Sequence, residues 1–85
     1  MRNGLIVAPN GNKYWYLNDS YHRENGPAIE RTNESKQWWV NGQLHRLDGP
    51  AIEYSTFKAW YLHGEIVNCK TNEEFLRIVK LKAFW

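Results

Sequence analysis

Eighty-five residues with a formal net charge of +2 and one cysteine make a single small domain, with no internal disulfide and no bulk electrostatic attraction to nucleic acid or an anionic membrane. The longest apolar run near the N-terminus, Leu5 to Ala8, is too short for a signal-peptide core or a membrane span; with the lone Cys69 this predicts a soluble, cytoplasmic protein. Five Trp, five Tyr and three Phe supply much buried area per residue, yet so small a core leaves only about 3–5 kcal/mol of net stability, and self-association is a ready way to add to it.

The chain repeats itself. Residues 4–8, Gly-Leu-Ile-Val-Ala, have the form of the second half of a unit whose first half is missing, so 4–12 is a half copy. Residues 13–30 then align with 36–53 at a shift of 23 without a gap, and ten of the eighteen positions are identical, among them His-Arg and the whole Gly-Pro-Ala-Ile-Glu run. The full copies span 13–35 and 36–57. A partial third, 58–67, starts one residue early at Lys58 and fades after Val67.

Each full copy reads as two strands. The first is the alternating aromatic run, 14–17, 37–40 and 59–62 in the three copies; the second is Ala-Ile-Glu with its flanks, 28–31 and 51–54. Asn18-Asp19-Ser20, Asn41-Gly42 and His63-Gly64 open the connection, and Asn25-Gly26-Pro27 and Asp48-Gly49-Pro50 close it. Glycine accepts positive φ at no steric cost, so Gly26 and Gly49 are expected in that conformation. Pro27 and Pro50, lacking an N–H, suit the first residue of a strand. After the repeats, Thr71 and Glu74 have capping-box spacing. Phe75, Ile78 and Val79 then recur at helical spacing, joined by Leu76 and Leu81, which predicts a C-terminal helix within 71–83. The expected class is mainly β (α+β): an open antiparallel repeat sheet of about six strands with that helix packed on one face.

Strand side chains alternate between faces. Trp15/Leu17, Trp38/Val40 and Trp60/Leu62 are apolar in all three copies and are expected to form the core under the helix, with Trp38, the central one, nearly fully buried. The opposite set holds Tyr14, Tyr16, Trp39 and Tyr61. Tyr16, Trp39 and Tyr61 stand at equivalent positions and are expected to form an aromatic stripe across the sheet. A single short helix cannot cover both faces, so the stripe is either closed by turns and termini or open to a partner, for which Tyr and Trp are favoured.

Candidate chemistry is sparse. His22-Arg23 and His45-Arg46 look catalytic, but equivalent positions in neighbouring copies lie two strands apart, roughly 9–10 Å at about 4.8 Å per strand. That spacing does not suit a shared metal with Zn–N bonds of about 2.0–2.1 Å, and the third copy has no His-Arg. Turn geometry explains them more simply, with His or Arg bonded to turn groups and Arg lying over a Trp face. Glu30 and Glu53 are equivalent and read as scaffold. Cys69 reads as an inert small hydrophobe at the helix entrance. Arg77, Lys80 and Lys82 form a modest basic edge that would suit a single-stranded nucleic acid beside the aromatics, diluted by Glu30, Glu53, Glu73 and Glu74. No nucleophile triad, phosphate loop or acidic metal cluster is evident.

The unit W-[YWV]-x-N-G-x-x-H-R-x-[DN]-G-P-A-[IV]-E resembles a short repeat of small bacteriophage and bacterial proteins and is distantly similar to MORN-type hairpin repeats. The match covers 15–30 and 38–53 closely and 60–67 in part. Copy one departs from the unit with Asp19 in place of its Gly, which predicts a looser first turn. The resemblance implies a β-hairpin array and a phage or prophage origin, the cytoplasm then being that of the host cell. Small phage proteins of this size often act by binding and blocking a host enzyme or defence complex. The resulting expectation is a non-catalytic protein-binding module, an inhibitor of a host or defence protein. It would need no cofactor, metal or membrane, and it could form a homodimer through the aromatic face. The alternative is a nucleotide or single-stranded nucleic-acid binder using the same face.

Overall fold

The computed structural model describes residues 1–82, which form ten short strands and one helix. The strands are β1 (Gly4–Val7), β2 (Lys13–Leu17), β3 (Ser20–Tyr21), β4 (Ile29–Glu30), β5 (Lys36–Gln37), β6 (Trp39–Val40), β7 (Gln43–Leu44), β8 (Ile52–Glu53), β9 (Lys58–Leu62) and β10 (Glu65–Val67), followed by helix α1 (Asn72–Lys82). All pairings are antiparallel. The main sheet runs β1-β2-β4-β5-β8-β9-β10, with β3 beside β2, and β6 pairs with β7. The class is the expected one: mainly β with a C-terminal helix. No helix among the described residues is long and apolar enough to cross a membrane.

Ten strand segments replace the expected six because a short hairpin partner follows each aromatic strand (β3, β7 and β10) and the second aromatic strand is split into β5 and β6; in the first two copies the aromatic strand thus meets its return strand twice. Tyr16 and Leu17 of β2 face Tyr21 and Ser20 of β3, whereas Lys13 and Tyr14 face Glu30 and Ile29 of β4. Between the two contacts the chain leaves the sheet, and both ends of this excursion bond to one residue. His22 N–H donates to Trp15 O at 3.0 Å, and Trp15 N–H donates to Ala28 O at 2.8 Å. Copy two repeats this with His45 N–H to Trp38 O at 3.0 Å and Trp38 N–H to Ala51 O at 2.7 Å. The segment from His-Arg to Gly-Pro is thus a loop lying on the sheet, and the return strand proper starts only at Ile29 and Ile52, two residues beyond Pro27 and Pro50.

The tight turns are alike in all three copies. Asn18 and Asp19 (φ 50° and 66°), Asn41 and Gly42 (49° and 76°), and His63 and Gly64 (49° and 81°) are all left-handed, the two-residue hairpin geometry that matches strand twist. The first turn is not looser. Asp19 accepts a hydrogen bond from the Arg2 N–H and pairs with its guanidinium at 3.7 Å, which offsets the strain of a non-glycine residue there. Gly26 and Gly49, by contrast, are not among the positive-φ residues. Their requirement is space: a Cβ on Gly49 would lie 2.8 Å from Arg46 Cζ, and one on Gly26 3.1 Å from Arg23 Cζ.

The half copy is a true structural half. Ile6 faces Tyr14 and Val7 faces Lys13, as Ile29 faces Gln37 and Glu30 faces Lys36. At the other end, Thr71 Oγ1 accepts the Glu74 N–H at 3.2 Å and donates to Glu74 Oε1 at 3.4 Å, capping α1. The expected final helical residue, Ala83, lies outside the described residues. Phe75 is fully buried against the Trp60 ring at 6.4 Å, and Asn72 Oδ1 accepts the Trp60 Nε1–H at 3.1 Å. Leu76 and Leu81 point to solvent. Because α1 packs on Trp60 through Phe75 and Asn72, Trp60 is the buried member of the Trp set, 7% exposed. Trp38 is half-buried and Leu17 is exposed, not core. The buried apolar residues among those described are Ala28, Ile29, Ala51, Trp60 and Phe75.

Candidate functional site: the tyrosine and tryptophan face

The face that carries the three equivalent Trp residues is given over to holding the repeats together. Arg23 Cζ lies 3.9 Å from the Trp15 ring centroid and Arg46 Cζ 3.7 Å from that of Trp38. Each guanidinium also donates to the carbonyl of its own loop proline, Pro27 or Pro50, at 3.1 Å. Arg46 is further fixed by Asp48 at 2.8 Å and Glu53 at 2.9 Å. In the third repeat, helix α1 takes the place of the Arg loop over Trp60. Beside the Trp row runs a register of alternating charge. Lys13 faces Glu30, Glu30 faces Lys36, Lys36 faces Glu53 and Glu53 faces Lys58. Opposite charges at cross-strand positions favour this pairing over its slips, which accounts for the recurrence of Glu30 and Glu53.

The histidines join one repeat to the next. His22 Nδ1 accepts the Asn41 N–H and His45 Nδ1 accepts the His63 N–H, each at 2.9 Å. Alongside them, Gly42 N–H donates to Tyr21 O and Gly64 N–H to Leu44 O, again at 2.9 Å. At the first turn Asn3 Oδ1 takes the same part, accepting the Asn18 N–H at 2.8 Å. An acceptor Nδ1 requires a neutral ring with its proton on Nε2. Burial holds the His45 imidazole below its usual value, and the His63 ring, 4.3 Å away, adds to the effect. Thus His22, Arg23, His45 and Arg46 are engaged in the fold, two as turn acceptors and two as lids on Trp. Among the described residues no group of three or more His, Cys, Asp or Glu could hold a metal ion. Burial, with Glu74 nearby, raises the Cys69 thiol, which keeps it protonated and unreactive.

The opposite face is built differently. Cross-strand partners share a face, so the register generates two rows. One is built of the pairs Tyr16–Tyr21, Trp39–Leu44 and Tyr61–Ile66, joined copy to copy by the Arg23 N–H to Trp39 O and Arg46 N–H to Tyr61 O bonds. The other runs Ile6, Tyr14, Ile29, Gln37, Ile52, Ala59. Neither row contains a charged residue. Tyr16, Trp39 and Tyr61 therefore do lie in one row, but not as neighbours. Tyr21 stands between the first two, with its ring 5.2 Å from Tyr16 and 5.4 Å from Trp39, and Leu44 stands between the last two. Tyr14 joins the cluster at 6.1 Å from Tyr21.

Polar tips on this face are paired along the surface. Trp39 Nε1–H donates to Gln37 Oε1 at 2.9 Å, and Gln37 Nε2–H donates to Tyr54 OH at 2.6 Å. Burial, followed by its hydrogen bond with Tyr16, raises the Tyr21 phenol above its ordinary value, which keeps that central ring neutral. Arg2 caps the open end, 4.8 Å from the Tyr16 ring. The rings of Tyr14, Tyr16, Tyr21, Trp39 and Tyr61 are half-buried. The molecule measures 40 × 29 × 17 Å. Since packed sheets sit about 10 Å apart, its thickness accommodates the sheet and about one further layer; the Arg loops and α1 lie on the Trp side, while on the Tyr side Ile29 is 3% exposed and Tyr54 bonds to Gln37.

Tyr21 was the residue that sequence periodicity did not single out, because it follows a turn and lies outside the aromatic run. Its signal is the turn itself: across a two-residue hairpin, Leu17 and Ser20 close the ladder and Tyr16 must face Tyr21. No family model, curated protein or solved structure matches the chain.

Proposed function

We propose that the protein is a non-catalytic protein-binding module whose docking surface is the face bearing Tyr14, Tyr16, Tyr21, Trp39, Leu44 and Tyr61. The observation that carries this reading is the segregation of charge. The Trp face alternates Lys and Glu, whereas both rows of the Tyr face are free of charge across the whole sheet. Desolvating Tyr and Trp costs little and gains much contact area, which is why they anchor interfaces while Lys and Glu are depleted there. A contiguous apolar surface on a small protein is otherwise a liability. The partner class favoured by the repeat resemblance is a host or defence protein that docking would inhibit. Stacking of single-stranded nucleic acid on the same rings would call for a cationic track beside them; the rows supply no Lys or Arg, and Arg2 over Tyr16 is a single cation at one end.

Capture from host lysate on immobilised protein tests the reading. Wild type and Leu47→Ser, a change at an exposed loop residue on the Trp side, retain the same partner, and Trp39→Ser loses it. Equal capture by all three moves the site off this face.

A further inference from the structure

The structure assigns a specific occupant to the Tyr/Trp face when no other partner is present: a second copy of the chain, packed sheet on sheet about a two-fold axis parallel to the strands. This rests on the docking reading above and names its partner. Three observations converge on it.

The first is charge. A two-fold dimer sets a surface against itself, so any charged residue near the axis meets its own like charge. The two rows contain none, and the cation recorded on their rings, Arg2 over Tyr16, sits at the β1 end, away from such an axis. The Trp face, with its Lys and Glu register, offers no such surface.

The second is shape. Bulk is unevenly divided along the rows. The rings of Tyr14, Tyr16, Tyr21 and Trp39 contact one another at the β1 side of the sheet. The β10 side carries Leu44, Ile52, Ala59 and Ile66 around the ring of Tyr61. Rotation about an axis parallel to the strands exchanges left and right as it turns the face over. It therefore lays the aromatic half of one copy on the aliphatic half of the other, twice by symmetry.

The third is the thinness of the core: the buried apolar side chains among the described residues are two alanines, Ile29, Trp60 and Phe75. A facing sheet would supply the missing second layer at the usual separation of about 10 Å.

The other surface open to self-pairing is the β1 edge, where Leu5 and Val7 are half exposed, 50% and 54%, and the test separates the two. Light scattering and sedimentation from low to high micromolar concentration follow wild type, Leu44→Lys, Ile66→Lys and Leu5→Lys, with circular dichroism to verify folding. Wild type reaches twice the 10.1 kDa chain mass. Leu44→Lys and Ile66→Lys raise the dissociation constant at least about tenfold, and Leu5→Lys leaves it within about threefold. Ile66 is 66% exposed, so its variant carries the test even where Leu44→Lys fails to fold. A monomeric wild type at every concentration overturns the dimer, as does a dimer that only Leu5→Lys dissociates. A monomer whose lysate partner is still lost on Trp39→Ser overturns the dimer alone and leaves the docking reading standing. A dimer indifferent to both face variants, with capture indifferent to Trp39→Ser, overturns both.

Discussion

Gly49 lies directly beneath the guanidinium of Arg46, so close that a single added Cβ would come within 2.8 Å of Arg46 Cζ. That guanidinium is itself pinned between the Trp38 ring, the Pro50 carbonyl and two carboxylates. The repeated His-Arg and Gly-Pro elements are therefore two sides of one contact: the arginine folds back over the loop that carries it, and glycine leaves it room.

The contact makes a double-mutant prediction. Gly49→Ala forces the arginine off the Trp38 ring and costs about 1–3 kcal/mol, the range for overpacking a well-filled site. Arg46→Ala alone costs about 1–2 kcal/mol through the lost stacking and hydrogen bonds. In the Arg46→Ala background Gly49→Ala costs much less, because the clash is gone. Urea denaturation of the four proteins measures the coupling. Additive losses would show that glycine is needed for its backbone instead.

Copy one provides a graded comparison. A Cβ on Gly26 would sit 3.1 Å from Arg23 Cζ, and Arg23 has no counterpart of the Asp48 and Glu53 ion pairs among the recorded ones. Its guanidinium can move aside more easily. Gly26→Ala is thus expected to lower the melting temperature less than Gly49→Ala does, and a larger drop for Gly26→Ala would contradict the account.

The histidine joints carry a pH dependence. Folding places His45 where its neutral form is favoured, so its folded pKa lies below the unfolded value of about 6.5. Between those two values the unfolded chain binds more protons, so stability rises with pH across that window. The stabilisation is complete above about 6.5 and is lost as pH falls towards the folded pKa. The His63 ring faces His45, and Glu65 and Lys82 line the same groove. Their charges oppose one another, which leaves burial of the imidazole, with the facing His63 ring second, to set the direction. Thermal melts of wild type and His45→Gln between neutral and mildly acid pH check this. Wild type loses stability faster on acidification; parallel curves would remove His45 from the joint.

Much of this architecture was legible in the sequence, and the reasons are local. The repeat, the antiparallel pairing and the capped helix follow from the shift of 23, from turn dipeptides and from Thr71 with Glu74. Arg over Trp was readable because each His-Arg pair follows an aromatic strand that carries a Trp. What eluded periodicity was non-local. Gly26 and Gly49 look like turn glycines until the Arg side chain is placed over them. Trp38 looks like the central core residue until α1 is seen to cover Trp60 and only an Arg loop to cover Trp38. Tyr21 enters the aromatic row only once the turn at Asn18-Asp19 fixes which residues face each other.

The central claim is that one face of this sheet holds the fold together and the other is left for a partner. Chemical denaturation of Trp60→Ala and Trp39→Ala, at concentrations low enough that self-association plays no part, tests it most directly. Trp60 is buried against Phe75 and bonded to Asn72, so its loss is predicted to cost about 3–5 kcal/mol, most or all of the stability of so small a domain. Trp39 is half-buried and lies in the uncharged row, and its loss is predicted to cost at least about 2 kcal/mol less. Equal losses would mean that both faces are core and that no docking face exists.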